Sequence, residues 1–427
     1  MALIVGLPLI FTFLAFAQLS LVEDARLTPT RFIAPAALAV CMLATTWLLQ
    51  QALPLHDQLL LPLITLLIGW GMAEVGRLAP PVFLQRQTTW MVLGSGALLV
   101  VALVPQGLQW LERFRYTWLL LGLSLLGMTF FLGVNPSGTG ARLWLGVAGL
   151  YFQPSELLKL LMIVFLATYL AERRAALLEV SLRVHRWRIP HPAYLGPLLL
   201  MWGFSIILLL WQRDLGAGLL FFAVFLAMFY VATGQGRYVL VSLVLLAGAG
   251  AIGYHVFDVV ALRVDAWWDP WREASGRSFQ IVQALLAFAS GGVLGQGLGQ
   301  GLPSAIPVVH TDFVFAAVGE EYGLIGTLGL VISFMLLVSR AFRIALCCER
   351  MFERLLAAGI GSLFGLQSLV IMAGTLKLIP LTGVTLPFVS YGGSSLLVSM
   401  VMVGLLVRLS SRPTSPYQSS PAFIQGG

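Results

Sequence analysis

The sequence predicts an all-α, polytopic membrane protein with about twelve transmembrane helices. Three observations carry this expectation. Of the 427 residues, 59% are hydrophobic and only 10% charged, whereas a soluble domain carries about 25% charge. The apolar residues gather into runs of about 17–25, the length that crosses a bilayer as a helix. The polar residues gather into a few short interruptions, and irregular backbone at bilayer depth survives only where protein or a wet cavity surrounds it.

Taken in order, the runs lie at 3–22, 32–52, 58–75, 88–105, 116–133, 153–171, 193–211, 214–232, 238–257, 312–339, 351–374 and 392–409. The first has no basic leader and no small-residue cleavage site, so it reads as a retained span rather than a signal peptide. Only Gln212, Arg213 and Asp214 separate the seventh from the eighth. Between the ninth and tenth lies one large loop, 258–311. Within it, 277–290 has helical spacing but is too short to span, as in a re-entrant or interfacial helix. The glycines of 291–301 follow no strand and precede no Walker lysine, so they read as a flexible turn rather than a phosphate cradle. The Ser- and Pro-rich end beyond Arg412 is expected to be disordered. The chain thus divides into an N-terminal two-helix extension (1–57), a transmembrane core (58–410) and a tail (411–427).

The formal charge is +7. In a chain this apolar it reports topology, and no nucleic-acid partner is expected. With both termini in the cytoplasm, the connections on that side and the tail hold 14 of the 25 basic residues and 6 of the 18 acids. That is the sign the positive-inside rule requires. The three cysteines form no CxxC pattern, and the five histidines have no zinc spacing.

In this orientation four polar segments share the outer side: 134–153, the break at 212–214, the loop 258–311, and 375–391. Ionisable residues at such rims are costly and are candidates for function. Gln153, Pro154, Ser155, Glu156 and Lys159 open the sixth span. Glu156 and Lys159, three apart, share a helix face and can pair, either as a self-neutralising pair or as a cavity wall. Asp214 opens the eighth span as a helix cap or a site group. His310, Thr311 and Asp312 open the tenth, with Glu320 and Glu321 two turns further in. Arg142 precedes the sixth span, either simply solvated or able to hold a phosphate bidentately. Asp269 and Glu273 stand among tryptophans in the large loop, as solvated charges in an aromatic belt or as a general base near a lipid-linked substrate. The segment 377–395 breaks the run between the last two spans with two prolines and three glycines. Its Thr382, Ser390, Tyr391 and Ser394 offer polar contacts.

Several of these pieces together resemble the SEDS family, the FtsW/RodA/SpoVE group of cell-wall glycosyltransferases. They are Gly140-Ala-Arg142-Leu-Trp144, Phe152-Gln-Pro-Ser-Glu156 with Lys159, Asp214-Leu-Gly216, the glycines of 291–299, His310-Thr-Asp-Phe313, Gly319-Glu-Glu321 and the stretch 382–395. They occur in the family's order across 58–410. The resemblance implies a ten-span core, with the first two spans an addition. It implies an outward cavity for lipid II, an undecaprenyl-pyrophosphate-linked precursor, and polymerisation of glycan in division or cell shape. It also implies a class B penicillin-binding protein as partner and residence in the bacterial cytoplasmic membrane. The substrate contacts expected on this basis are Arg142, Gln153, Ser155, Glu156, Lys159, Asp214, His310, Thr311, Asp312, Glu320, Ser390, Tyr391 and Ser394. A divalent cation, Mg or Mn, is the one cofactor left open.

The chain departs from the family where the catalytic aspartate is expected. The segment reads Asp269-Pro-Trp-Arg-Glu273, and Glu273 occupies the aspartate position. Glu273 or Asp269 is therefore the expected base, with loss of catalysis and a scaffold role as the alternative. Arg213 replaces a family proline and adds a cation near the expected pyrophosphate. A lipid-precursor flippase is the competing class, since broken helices suit transporters too. The gathering of polar residues on one face, with no clear inverted repeat, favours the polymerase.

Overall fold

The computed structural model describes residues 2–24, 26–104, 108–135, 142–147, 150–179, 181–184, 187–190, 192–211 and 214–411. Arg213, Gly140 and the tail from 412, singled out above, lie outside the described residues. In order, the helices are α1 (Ala2–Asp24), α2 (Ile33–Ala52), α3 (Leu60–Leu78), α4 (Pro81–Leu103), α5 (Gln109–Arg113), α6 (Arg115–Leu132), α7 (Pro154–Glu179), α8 (Pro192–Trp211), α9 (Leu215–Thr233) and α10 (Gly236–Val256). They continue with α11 (Asp258–Trp268), α12 (Phe279–Gly291), α13 (Val309–Asp312), α14 (Val314–Cys347), α15 (Met351–Thr375) and α16 (Gly393–Ser410).

Each predicted span is occupied by a helix. Among the described residues, ten of these helices are long and apolar enough to cross a membrane: α1, α2, α3, α6, α7, α9, α10, α14, α15 and α16. A helix satisfies its own backbone, which lipid cannot do. Large apolar side chains such as Phe131, Leu200 and Val100 are accordingly exposed on the outside of the bundle. Helix α4 begins earlier than the apolar run suggests. Pro81 occupies its first turn, where the missing N–H costs nothing, and the polar Gln85, Arg86 and Gln87 fall inside the helix. The predicted short helix in the large loop is α12.

Two antiparallel hairpins were not expected. Strands β1 (Leu145–Val147) and β2 (Leu150–Phe152) pair Gly146 with Tyr151. Strands β3 (Ser181–Val184) and β4 (Trp187–Pro190) pair Leu182 with Ile189. The first hairpin delivers the chain into α7.

Helix α7 lies in the centre, packed by α6, α9, α15 and α16, and Leu158–Leu170 is buried throughout. Glycines set the closest approaches. A Cβ on Gly404 of α16 would stand 2.7 Å from the Leu98 carbonyl oxygen of α4. Helix α14 breaks at Gly323 (φ 66°, ψ −159°), a conformation that favours glycine. The glycine-rich turn fills this break. Leu324 and Ile325 N–H donate to the Gly292 and Val293 carbonyls, and Gln296 and Gly297 N–H donate to those of Glu320 and Glu321. The turn is thus held by four backbone bonds. Helix α10 stands at the margin, with Gly253 its single buried residue.

Candidate active site

The site is built on the loop between α15 and α16. This loop turns sharply at Phe388, which is buried at φ 67°. A bulky residue there is strained by roughly 1–2 kcal/mol, so the surroundings must hold it. Ser390 does much of this. Its Oγ accepts the Leu386 N–H at 3.0 Å and donates to the Thr311 carbonyl at 2.5 Å. The Tyr391 N–H donates to the His310 carbonyl at 2.8 Å. From α4, Gln87 donates to the Ser390 carbonyl and accepts the Gly392 N–H. The segment before α14 is therefore clamped to the segment before α16. The Tyr391 and His310 rings both meet Phe83, at 4.8 and 5.2 Å between centroids.

From this clamp a polar path runs to α7. Gln153 N–H donates to Ser394 Oγ at 2.9 Å, and its side-chain amide donates to Ser155 Oγ at 3.0 Å. Lys159 Nζ lies 2.8 Å from Glu156 Oε2 and donates to Gln367 Oε1 at 3.2 Å. The Gln367 amide in turn donates to the Thr385 carbonyl at 2.7 Å. Glu156 and Lys159 are 8% and 4% exposed. A buried charge needs its partner and further hydrogen bonds, and this pair has both.

Asp214 stands beside the path. It caps α9, Oδ1 accepting the Ala217 N–H at 3.1 Å, as an N-cap carboxylate does. Burial pushes its carboxyl above the usual range, against the pull of that N–H and Lys159. Burial likewise pushes Asp312 up to about 6, opposed by the Thr311 hydroxyl and Arg263. Arg263 of α11 feels both carboxylates, and burial lowers its guanidinium. It donates to the Thr382 carbonyl at 3.0 Å, and Trp267, one turn on, donates to the Lys377 carbonyl at 3.0 Å. The Thr382 hydroxyl is buried without a hydrogen-bond partner. Asp214, Asp312 and Arg263, each half-buried, thus form a polar corner with the buried, unused Thr382 hydroxyl.

The predicted bases lie elsewhere on the same helix unit. Asp269 ends α11 and Glu273 ends the 3₁₀ turn Pro270–Glu273. Both are exposed, and both line a cleft of about 390 Å³ with Asp265, Arg272 and Arg277. The Glu273 carboxylate is 3.8 Å from Arg277. Arg142 is exposed at the edge of the first hairpin. Glu320 points to the glycine turn and accepts the Leu302 N–H at 2.9 Å, so it lies with Glu321, which accepts Gly299 N–H at 3.1 Å. Among the described residues no group of three or more His, Cys, Asp or Glu side chains is gathered for a metal ion.

Sequence reasoning missed Arg263, Gln367 and Arg86. Arg86 lies over the Tyr151 ring at 5.7 Å and beside the Tyr391 hydroxyl. Arg263 had a signal available: a lone arginine inside an apolar turn. Gln367 sits within a span and Arg86 in the first turns of α4, ahead of its apolar run, where only the neighbouring helices reveal which face they use.

The family profile described as cell cycle protein, FtsW/RodA/SpoVE, matches residues 52–415. The peptidoglycan glycosyltransferase RodA of Mycobacterium leprae is 36% identical over 377 residues, covering 86% of this chain and 80% of that protein. The probable peptidoglycan glycosyltransferase FtsW of Geobacter sulfurreducens is 37% identical, covering 77% and 86%. A chain from a peptidoglycan synthase complex, solved to show how polymerisation and crosslinking are coordinated, superposes with a TM-score of 0.69 at 31% identity, covering 83% and 97%. The rod-shape-determining RodA of Thermus thermophilus superposes at 0.60 and 29% identity, covering 83% and 96%.

Proposed function

Because the chain belongs to the FtsW/RodA/SpoVE family, and so is a multi-pass membrane peptidoglycan glycosyltransferase, we propose how its own residues do that work. The substrate is lipid II, bound at the outer face of the cytoplasmic membrane, with both termini on the other side. The acceptor sugar's hydroxyl oxygen attacks the anomeric carbon of the donor. The bond from that carbon to the pyrophosphate oxygen breaks, and the undecaprenyl pyrophosphate leaves. The hydroxyl proton passes to Glu273.

The observation that carries this reading is the position of α11. Its end leads into the turn that presents Asp269 and Glu273 in an open cleft, and its middle carries Arg263, which lies in the polar corner with Asp214 and Asp312. One short helix therefore links a solvent-facing base to a cation that can neutralise leaving-group charge. Lys159 and Arg142 add positive charge on the same side. A divalent cation would enter with the substrate's pyrophosphate. The partner is a class B penicillin-binding protein, in keeping with the synthase complex whose chain this one resembles.

The test uses purified protein, alone and with its transpeptidase partner, supplied with lipid II. Glu273→Gln is expected to lower polymerisation on the order of 10²–10⁴-fold, the range of general-base catalysis. Asp269→Asn is expected to stay within several-fold of the parent. Polymer unchanged in Glu273→Gln would overturn the base assignment. Absence of polymer under every condition, with lipid II scrambling across liposomes, would overturn the polymerase in favour of a flippase.

A further inference from the structure

A second polar cavity lies far from this chemistry, at the opposite ends of the helices. It holds about 680 Å³. The chain converges there from five places: the start of α1, the α2–α3 connection, the ends of α14 and α16, and the start of α15. Its apolar wall includes Ile4, Leu55 and Leu59. Its polar wall carries three arginines, on the face that the charge distribution assigns to the cytoplasm.

Most of the polar groups are already committed. Arg340 donates from Nε and Nη2 to Asp57 Oδ2, at 2.8 and 2.5 Å. The other Asp57 oxygen accepts the Leu59 N–H, and the Asp57 N–H donates to Ser410 Oγ at 2.9 Å. Arg350 is held by Glu112 and Glu353. Glu349 is exposed, where solvent and salt weaken its field. Two groups remain. Arg343 lines the cavity with no carboxylate partner among the described residues. His56 is 3% exposed. Its Nδ1 lies 2.5 Å from the Leu53 carbonyl, so Nδ1 carries the proton, and Nε2 is buried with no partner.

We infer that this cavity binds the headgroup of an anionic phospholipid that carries a free hydroxyl, of the phosphoglycerol class. The phosphodiester accepts from Arg343, the one guanidinium of the cavity wall without a carboxylate partner among the described residues. A headgroup hydroxyl donates to His56 Nε2, which in the neutral ring with Nδ1 protonated is an acceptor. The acyl chains follow the apolar wall. Basic pockets between transmembrane helices on the cytoplasmic side recognise anionic headgroups in just this way. The N-terminal extension supplies part of the wall, so the site depends on those first two helices. Nothing in this inference depends on the assignment of the catalytic base.

The experiment measures thermal unfolding and native mass spectra of the full chain in neutral detergent. The additions are phosphatidylglycerol, phosphatidylcholine and inorganic phosphate, each in turn. Phosphatidylglycerol is expected to raise the midpoint by several degrees, as a ligand of the native state does, and to appear as a bound adduct. Phosphatidylcholine and inorganic phosphate are expected to do neither. Arg343→Glu should abolish both signals, and Arg343→Lys should keep about half the shift. Arg343 is exposed and unpaired, so these variants keep the fold. His56→Phe should weaken binding roughly tenfold. An equal response to phosphatidylcholine, or an undiminished one in Arg343→Glu, would overturn the inference. A full response to inorganic phosphate alone would replace the lipid with a free phosphate and overturn it too.

Discussion

At the scale of residues, the site is governed by what burial does to charge. Lys159 and Glu156 satisfy each other at 2.8 Å inside a bundle that would penalise either alone. Lys159→Met leaves the Glu156 carboxylate buried without its counter-charge, at a cost of about 3–5 kcal/mol. Lys159→Met with Glu156→Gln is expected to be more stable than Lys159→Met by itself. A double-mutant cycle on the unfolding midpoint checks this, and an additive result would mean that the pair does not interact. Asp312 obeys the same rule with a different outcome. Its folded pKa, about 6, lies above the ordinary value of 3.8, so the folded state binds the proton more tightly than the unfolded chain. Its contribution is then undiminished below about pH 4, is lost as pH rises toward 6, and stays lost above. Asp312→Asn should flatten that decline when the midpoint is followed from pH 4 to 7. A decline of equal size in the variant would place the titrating group elsewhere.

At the scale of elements, close backbone approach decides which parts of the site can exist. The first turn of α9 lies against the loop carrying Thr382, and a Cβ on Gly216 would stand 2.4 Å from the Thr382 carbonyl oxygen. That oxygen is the acceptor for Arg263. Gly216→Ala should therefore shift the loop and release Arg263, lowering polymerisation at least tenfold while the protein still inserts and purifies. Polymerisation within twofold of the parent would show that the loop can yield without consequence. Elements of this kind explain what the sequence could and could not disclose. The twelve apolar runs marked the helices because the bilayer fixes their length. The glycine turn of 291–301 was visible as a turn, but its role was not. Only the break at Gly323, with the carbonyls and N–H groups it leaves unpaired, shows why so many glycines stand there. The two hairpins left no trace, since strands of three or four residues lie below any legible period. Glu320 drew attention as a charge two turns inside a span, yet its partner is the backbone of Leu302, which no spacing rule connects to it.

At the scale of the whole molecule, the two halves of the proposed chemistry sit in different surroundings. One is a buried path from Gln153 through Lys159 to Thr385; the other is an open cleft around Glu273. What joins them is α11, and it is fastened at few points. Arg263 and Trp267 donate to the carbonyls of Thr382 and Lys377, and the Tyr254 hydroxyl of α10 donates to Asp265 at 2.9 Å. Helix α10 packs along α11 but is itself barely buried, so it does little to anchor α11 to the rest of the bundle. The orientation of the cleft toward the path thus rests mainly on the two bonds to the loop. Trp267→Phe keeps an aromatic ring, though a smaller one, and removes one of those bonds. A single hydrogen bond contributes about 1 kcal/mol to stability, so the unfolding midpoint should scarcely change. Polymerisation should nonetheless fall several-fold, because misplacing a reacting group by about 1 Å is costly in rate. Trp271→Phe provides the comparison: Trp271 is 57% exposed and does not line the cleft, and its replacement should alter neither quantity. If Trp267→Phe polymerises lipid II at the parent rate, the cleft and the path work without α11 as their link, and the base must reach the acceptor by another geometry.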